Sequence, residues 1–178
     1  MTKSIEKPEP RYCENCGTKC RWQLHNQDEP YREVCPSCNH VMFRNSKPCA
    51  GVLVLNGAKI LLIQRGIEPY KSWWDIPGGF LEEAEHPADG ARREALEETG
   101  LVIEPVEILG IFIDKYEKIG FTHNTYFIGN VSGGELRPCS DAVDARWFDL
   151  NKLPDRIAFP DHALEVIEKL KQRIAEKA

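Results

Sequence analysis

The chain has 178 residues, 42% hydrophobic and 29% charged, which supports a packed core and excludes disordered and fibrous classes. No apolar run reaches the roughly 18 to 20 residues needed to cross a bilayer, and the first ten residues are too polar for a signal peptide. With 23 Lys and Arg against 28 Asp and Glu, net charge is −5, so nonspecific nucleic-acid binding is disfavoured and a cytoplasmic protein is expected.

The length predicts one main domain and a small annex. Residues 1–11 read as a tail, residues 12–47 as the annex and residues 48–178 as the main domain. In the annex, Cys13 and Cys16 form one CxxC pair, Cys35 and Cys38 a second, and 18 residues separate them. Two such knuckles on a β-hairpin supply four thiolates for structural Zn²⁺, and strands are predicted at residues 21–24 and 31–34 around a turn at residues 26–30. Disulfides or a redox pair are the alternatives, disfavoured by the cytoplasmic reading and by the doubling of the motif. Cys20, Cys49 and Cys139 lack ligand spacing and read as packing residues, with His40 a weaker substitute ligand.

Residues 50–55 and 59–64 are apolar runs around Asn56-Gly57 and predict a β-hairpin. A helix is predicted over residues 87–99, with Pro87 in its first turn and Gly100 just past its end. Strands follow at residues 106–114, 121–131 and 145–148, and an amphipathic helix at residues 162–176. That order is α+β, with a mixed sheet between helices.

The segment from Glu82 to Glu98 holds seven acids against two bases and accounts for the whole net charge. Glu94, Glu97 and Glu98 stand at i, i+3 and i+4 and share one helix face, where like charges repel unless a cation lies between them. Ala88, Ala91 and Ala95 mark a second face, small enough to pack closely on a sheet. The bland reading is a solvated acidic helix. Against it, the glycine pair Gly78-Gly79 stands just upstream and lets backbone approach a ligand, and Glu85 sits at the helix entrance.

These residues resemble the Nudix box, G-x5-E-x7-R-E-U-x-E-E-x-G-U, filled by Gly79, Glu85, Arg93, Glu94, Glu97, Glu98, Gly100 and Leu101. Ala95 occupies the first aliphatic position, and Ala84 replaces a glycine common before Glu85. The resemblance implies an α/β/α sandwich with a mixed sheet, here preceded by a small zinc ribbon. It also implies hydrolysis of a nucleoside diphosphate linked to another group, with Mg²⁺ or Mn²⁺ held by Glu94, Glu97, Glu98 and the Gly79 carbonyl. Glu85 and Gly100 are then structural, and Arg93 holds a box carboxylate such as Glu85. The general base is Glu97, or an acid on a late loop, Asp141, with Asp144 behind it.

A four-cysteine ribbon before the box resembles the NADH pyrophosphatase group. It points to ADP-ribose, NAD(H) or FAD as substrate, although the SQPWPFPxS array of that group is absent. The alternatives are a housecleaning hydrolase of nucleoside triphosphates and a noncatalytic nucleotide sensor. Arg65, Tyr70, Trp73, Phe80 and Phe121 are candidates for a nucleotide cleft, with Glu82 and Tyr116 as further contacts. Tyr116 falls where diadenosine-polyphosphate hydrolases carry a tyrosine, whereas Trp147 and Phe148 read as core. Phe159 and His162 are placed to approach a base. The ribbon is expected to be structural and a candidate to extend a homodimer interface, with a nucleotide as the small-molecule partner.

Overall fold

The structure is a computed structural model that describes residues 9–24, 31–116 and 120–177; the turn expected at residues 26–30 lies outside them. The chain divides after Asn45 into two compact units. Among the described residues, no helix is long and apolar enough to cross a membrane.

The first unit is a three-stranded antiparallel sheet of β1 (Arg21–Leu24), β2 (Tyr31–Val34) and β3 (Val41–Met42). The two CxxC knuckles flank it. Each turns back through a residue in the left-handed region, Gly17 at φ 73° and Asn39 at φ 58°. So small a unit has little apolar core, and Glu33, 0% exposed, lies inside it. Burial alone would raise the Glu33 pKa. Hydrogen bonds from Arg44 Nε (2.9 Å), the Arg11 amide (2.6 Å) and Arg11 Nε (2.9 Å) outweigh that and bring it to about 2.

The second unit runs β4 (Lys47–Asn56), β5 (Lys59–Arg65), β6 (Trp74–Asp75), β7 (Gly78–Phe80), α1 (Pro87–Thr99), β8 (Leu101–Tyr116), β9 (Gly120–Gly134), β10 (Ala142–Asp149) and α2 (Pro160–Lys177). Its sheet has the order β10-β5-β4-β9-β8, with β6 on β5 and β7 on β4. Among the described strands β4 and β9 pair in parallel and the other pairs are antiparallel, so the sheet is mixed. Alternation sorts its side chains between two layers. Val52, Val54 and Leu61 pack with Ala91 and Ala95 of α1, while Leu53, Ile60 and Leu62 pack with Val166, Ile167 and Leu170 of α2. The sheet is therefore buried on both faces between α1 and α2, the expected sandwich.

The β4–β5 connection is displaced from the expected Asn56-Gly57. Asn56 pairs with Lys59, leaving Gly57-Ala58 as the two loop residues with Gly57 at φ 60°. Glycine in the first central position is what a type II′ hairpin turn requires.

Candidate active site

Helix α1 begins at Pro87 and ends where Gly100, at φ 70°, donates its amide to the Leu96 carbonyl. Its first turn is capped by His86, whose Nδ1 accepts from the Ala88 amide at 3.2 Å, a cap outside the usual Ser, Thr, Asp and Asn set. This fixed helix projects its glutamates toward β7, which pairs antiparallel with Cys49–Gly51 of β4.

Gly79 is where strand and helix meet. A Cβ there would stand 2.4 Å from Glu94 Oε1, so the missing side chain makes room for the carboxylate. The Gly78 amide donates to Glu98 Oε2 at 3.0 Å. Glu98 is only 7% exposed, and no ion pair to it occurs among the described residues. Burial, countered in part by the Gly78 hydrogen bond, raises its pKa well above the usual carboxylate range, and the nearby Asp75 and Glu94 raise it further. Burial likewise raises Glu94. A buried carboxylate with no ion pair among the described residues, beside a second carboxylate on the same cavity, is a donor set suited to a divalent cation.

Arg93 organises the same face. Its Nε and Nη2 make a two-point contact with Glu85, at 2.8 and 2.9 Å, while Nη2 also reaches the Phe80 carbonyl at 3.0 Å. Its Nη1 reaches Glu94 at 2.8 Å and Glu97 at 3.2 Å. Hydrogen bonding to Arg93 holds the Glu85 pKa down at about 2. Arg93 is thus a positioning residue, tying the loop, the helix entrance and the glutamate row together. Ala84 stands at φ 61° just before Glu85, which explains why a glycine suits that position.

A cavity of about 310 Å³ opens beside Glu94 and Glu98. Of the residues singled out from sequence, Gly79, Arg65, Phe80, Glu82, Tyr116, Asp141, Phe159 and His162 line it. Glu97 does not; its side chain is 47% exposed and turned to Arg93. Asp144 is engaged with Arg146 and the Ala145 amide. Tyr70 and Trp73 lie off the cavity lining, Tyr70 packing its ring on Phe159 (4.8 Å between centroids) and on Trp73 (5.2 Å). Phe121 is exposed and alternates away from the cavity-lining Thr122. Arg65 donates to the Asp75 carboxylate (Nη1, 3.0 Å) and the Pro69 carbonyl (Nε, 2.9 Å), with its guanidinium carbon 5.1 Å from the Phe159 ring centre. Sequence reasoning missed Asp75, Asp114, Thr122, Asn124 and Tyr126, all of which line the cavity.

In the first unit the Sγ atoms of Cys13, Cys16, Cys35 and Cys38 all lie within 4.8 Å of one another. Individual separations are 3.6 Å (Cys13–Cys38), 3.4 Å (Cys16–Cys35) and 3.7 Å (Cys16–Cys38). A tetrahedral zinc with bonds of about 2.3 Å places its sulfurs about 3.8 Å apart, so the set fits a metal. Cys20 packs on Met42 and His40 bonds Glu14, both outside the cluster.

Comparison with known proteins agrees with this geometry. Residues 45–170 match the NUDIX domain family, and residues 11–43 match the Nudix N-terminal zinc-ribbon family. Over 105 residues, 58% of the chain, it is 42% identical to a protein of Methanocaldococcus jannaschii named ADP-ribose pyrophosphatase, of which it spans 61%. Over 94% of the chain it is 30% identical to the NAD-capped RNA hydrolase NudC of Vibrio atlanticus, of which it spans 58%. A crystal structure of a NUDIX hydrolase from Nitrosomonas europaea superposes with a TM-score of 0.76 at 27% identity, covering 93% of this chain and 91% of that one. With its box helix, its sandwiched mixed sheet and its four-cysteine ribbon, the chain belongs to the Nudix family, in the group that carries an N-terminal zinc ribbon.

Proposed function

We propose that the chain is a divalent-metal-dependent pyrophosphohydrolase that cleaves the diphosphate of ADP-ribose or of a dinucleotide such as NAD(H) or FAD. The observation that carries the reading is the pair of carboxylates, Glu98 buried and Glu94 partly buried, set against Gly78 and Gly79 at the edge of a nucleotide-sized cavity. The relatives named ADP-ribose pyrophosphatase and NAD-capped RNA hydrolase support the substrate class.

Glu94, Glu98 and the Gly79 carbonyl, joined by Glu97 once its side chain leaves Arg93, would hold Mg²⁺ or Mn²⁺. When bound, such a cation neutralises the diphosphate and lowers the pKa of a water. The chain's own contribution is position. Arg93 fixes Glu85 and Glu94, and the backbone of Gly78 fixes Glu98. Proton removal from the water is assigned to Asp141, because Asp141 lines the cavity whereas Glu97 lies off its lining and accepts from Arg93. On this reading Asp141→Asn should lower kcat more than Glu97→Gln. In the ribbon, Cys13, Cys16, Cys35 and Cys38 would bind one Zn²⁺ as a structural staple.

The test is product identification after incubation with ADP-ribose, NADH, FAD, NAD-capped RNA and nucleoside triphosphates in Mg²⁺. Release of AMP from the first three supports the reading. Pyrophosphate from triphosphates alone would make the chain a housecleaning hydrolase, and binding without turnover would make it a sensor.

A further inference from the structure

Opposite the glutamates, the cavity has a second polar wall that metal chemistry does not use. On β8 and β9 alternate residues face the same way, and the pairings Phe112↔Asn124 and Asp114↔Thr122 bring Asp114, Thr122 and Asn124 together on the cavity side. Tyr126 continues the row and is linked to His162 of α2, with the Tyr126 hydroxyl 3.1 Å from His162 Nε2.

The hydrogen bonds of this wall are unevenly filled. Asn124 is only 9% exposed, and its Nδ2 donates to the Phe112 carbonyl (3.3 Å) and to Thr122 Oγ1 (2.9 Å). A backbone carbonyl can only accept, so these contacts fix which end of the amide is nitrogen. The carbonyl end, Oδ1, accepts from no donor among the described residues. Asp114 is similar: Oδ1 takes the Lys115 amide at 2.7 Å, and Oδ2 has no hydrogen bond or ion pair among the described residues. Arg65, the one Lys or Arg on the lining among the described residues, is committed to Asp75, Pro69 and Phe159. This wall therefore presents unfilled acceptors, while the cavity's lining cation among the described residues is ion-paired with Asp75. An acceptor that loses its water to a ligand is costly without a donor, so the wall suits a ligand group rich in hydroxyl donors better than an anion.

Resting on the reading of the substrate as ADP-ribose or NAD(H), we propose that Asp114 and Asn124 bind the vicinal diol of a substrate ribose and that Asp114 selects a free 2′-hydroxyl over a 2′-phosphate. A ribose diol supplies two neutral donors about as far apart as the two acceptors of a carboxylate, and a carboxylate in place of a cation is what distinguishes a 2′-hydroxyl from a 2′-phosphate. The remaining donor chemistry such a pair could read is the exocyclic amine of adenine.

Calorimetric titration of ADP-ribose, its 2′-phosphate, its 2′-deoxy form and its hypoxanthine analogue into the Zn²⁺-loaded Glu98→Gln protein without Mg²⁺ tests this without interference from turnover. Expected is binding of ADP-ribose about tenfold or more tighter than of either 2′-altered ligand. In Asp114→Asn with Glu98→Gln, the 2′-phosphate ratio should collapse toward one, a change that a merely structural role would not produce. Equal affinity for ADP-ribose and its 2′-phosphate in the Glu98→Gln protein overturns the assignment, as does a ratio that Asp114→Asn leaves intact. Loss confined to the hypoxanthine analogue overturns it in favour of the amine. Tight, 2′-selective binding with no hydrolysis of ADP-ribose by the wild type would sink the proposed activity and leave the diol site standing. Absence of ADP-ribose binding overturns both.

Discussion

Replacing Gly79 by alanine should separate chemistry from fold. The new Cβ would stand 2.4 Å from Glu94 Oε1 and 2.5 Å from its Cδ, where ordinary contact begins at 3.4 Å. The carboxylate must therefore retreat by about 1 Å. Because it is the far end of a flexible side chain, β7 and α1 need not follow. A displacement of about 1 Å in a positioned group costs on the order of 100-fold in rate, so kcat/KM on ADP-ribose should drop about 100-fold with a stability change under about 1 kcal/mol. Gly78→Ala is the contrasting case. Its Cβ meets the backbone of β4, 2.6 Å from the Ala50 oxygen and 2.7 Å from the Gly51 Cα, which cannot give without shifting the sheet. A loss of about 1 to 3 kcal/mol is expected there. The assay is steady-state hydrolysis beside thermal melting of both variants. Full activity in Gly79→Ala would refute the claim that Glu94 must stand against β7.

Arg93→Lys removes the two-point contact with Glu85 and the bond to the Phe80 carbonyl; an ammonium cannot replace the fork, so kcat should fall at least tenfold and melting should show about 1 to 3 kcal/mol lost. Ala84→Gly relieves a left-handed alanine and should stabilise by about 0.5 to 1 kcal/mol with activity unchanged, readable by denaturant titration. Metal analysis should return one zinc per chain. A strong chelator, or Cys35→Ser, should speed amide exchange in β1, β2, β3 and the two knuckles while protection persists in β4, β5 and β9.

What could be read from sequence was what local chemistry decides. The bounds of α1 follow from Pro87 and Gly100, and β1 and β2 stand at residues 21–24 and 31–34 as predicted beside the two knuckles. Strands β8 and β9 are longer than predicted, because register shifts at Val102/Ile103, Pro105/Glu107 and Ile108/Gly110 break the alternation on which strand prediction depends. Strands of two or three residues, β3, β6 and β7, carry no period at all. The box glutamates were legible because one helix holds them. The wall of Asp114, Thr122, Asn124 and Tyr126 was not, since two strands assemble it through long-range register. Arg65 read as a nucleotide-cleft residue in the sequence; its partners, Asp75 and the Pro69 carbonyl, are set by the β5–β6 pairing and the loop between them.

The central claim is that Glu94 and Glu98 hold a catalytic cation, and metal titration of the wild type beside Glu98→Gln tests it most directly, following Tm and AMP release from ADP-ribose together. The Glu98→Gln substitution keeps an acceptor for the Gly78 amide while removing a poorly compensated buried charge, so the metal-free variant should melt at or above the wild-type temperature. The account predicts that Mg²⁺ raises Tm and switches on AMP release in the wild type only. Equal metal-dependent turnover in Glu98→Gln would contradict it.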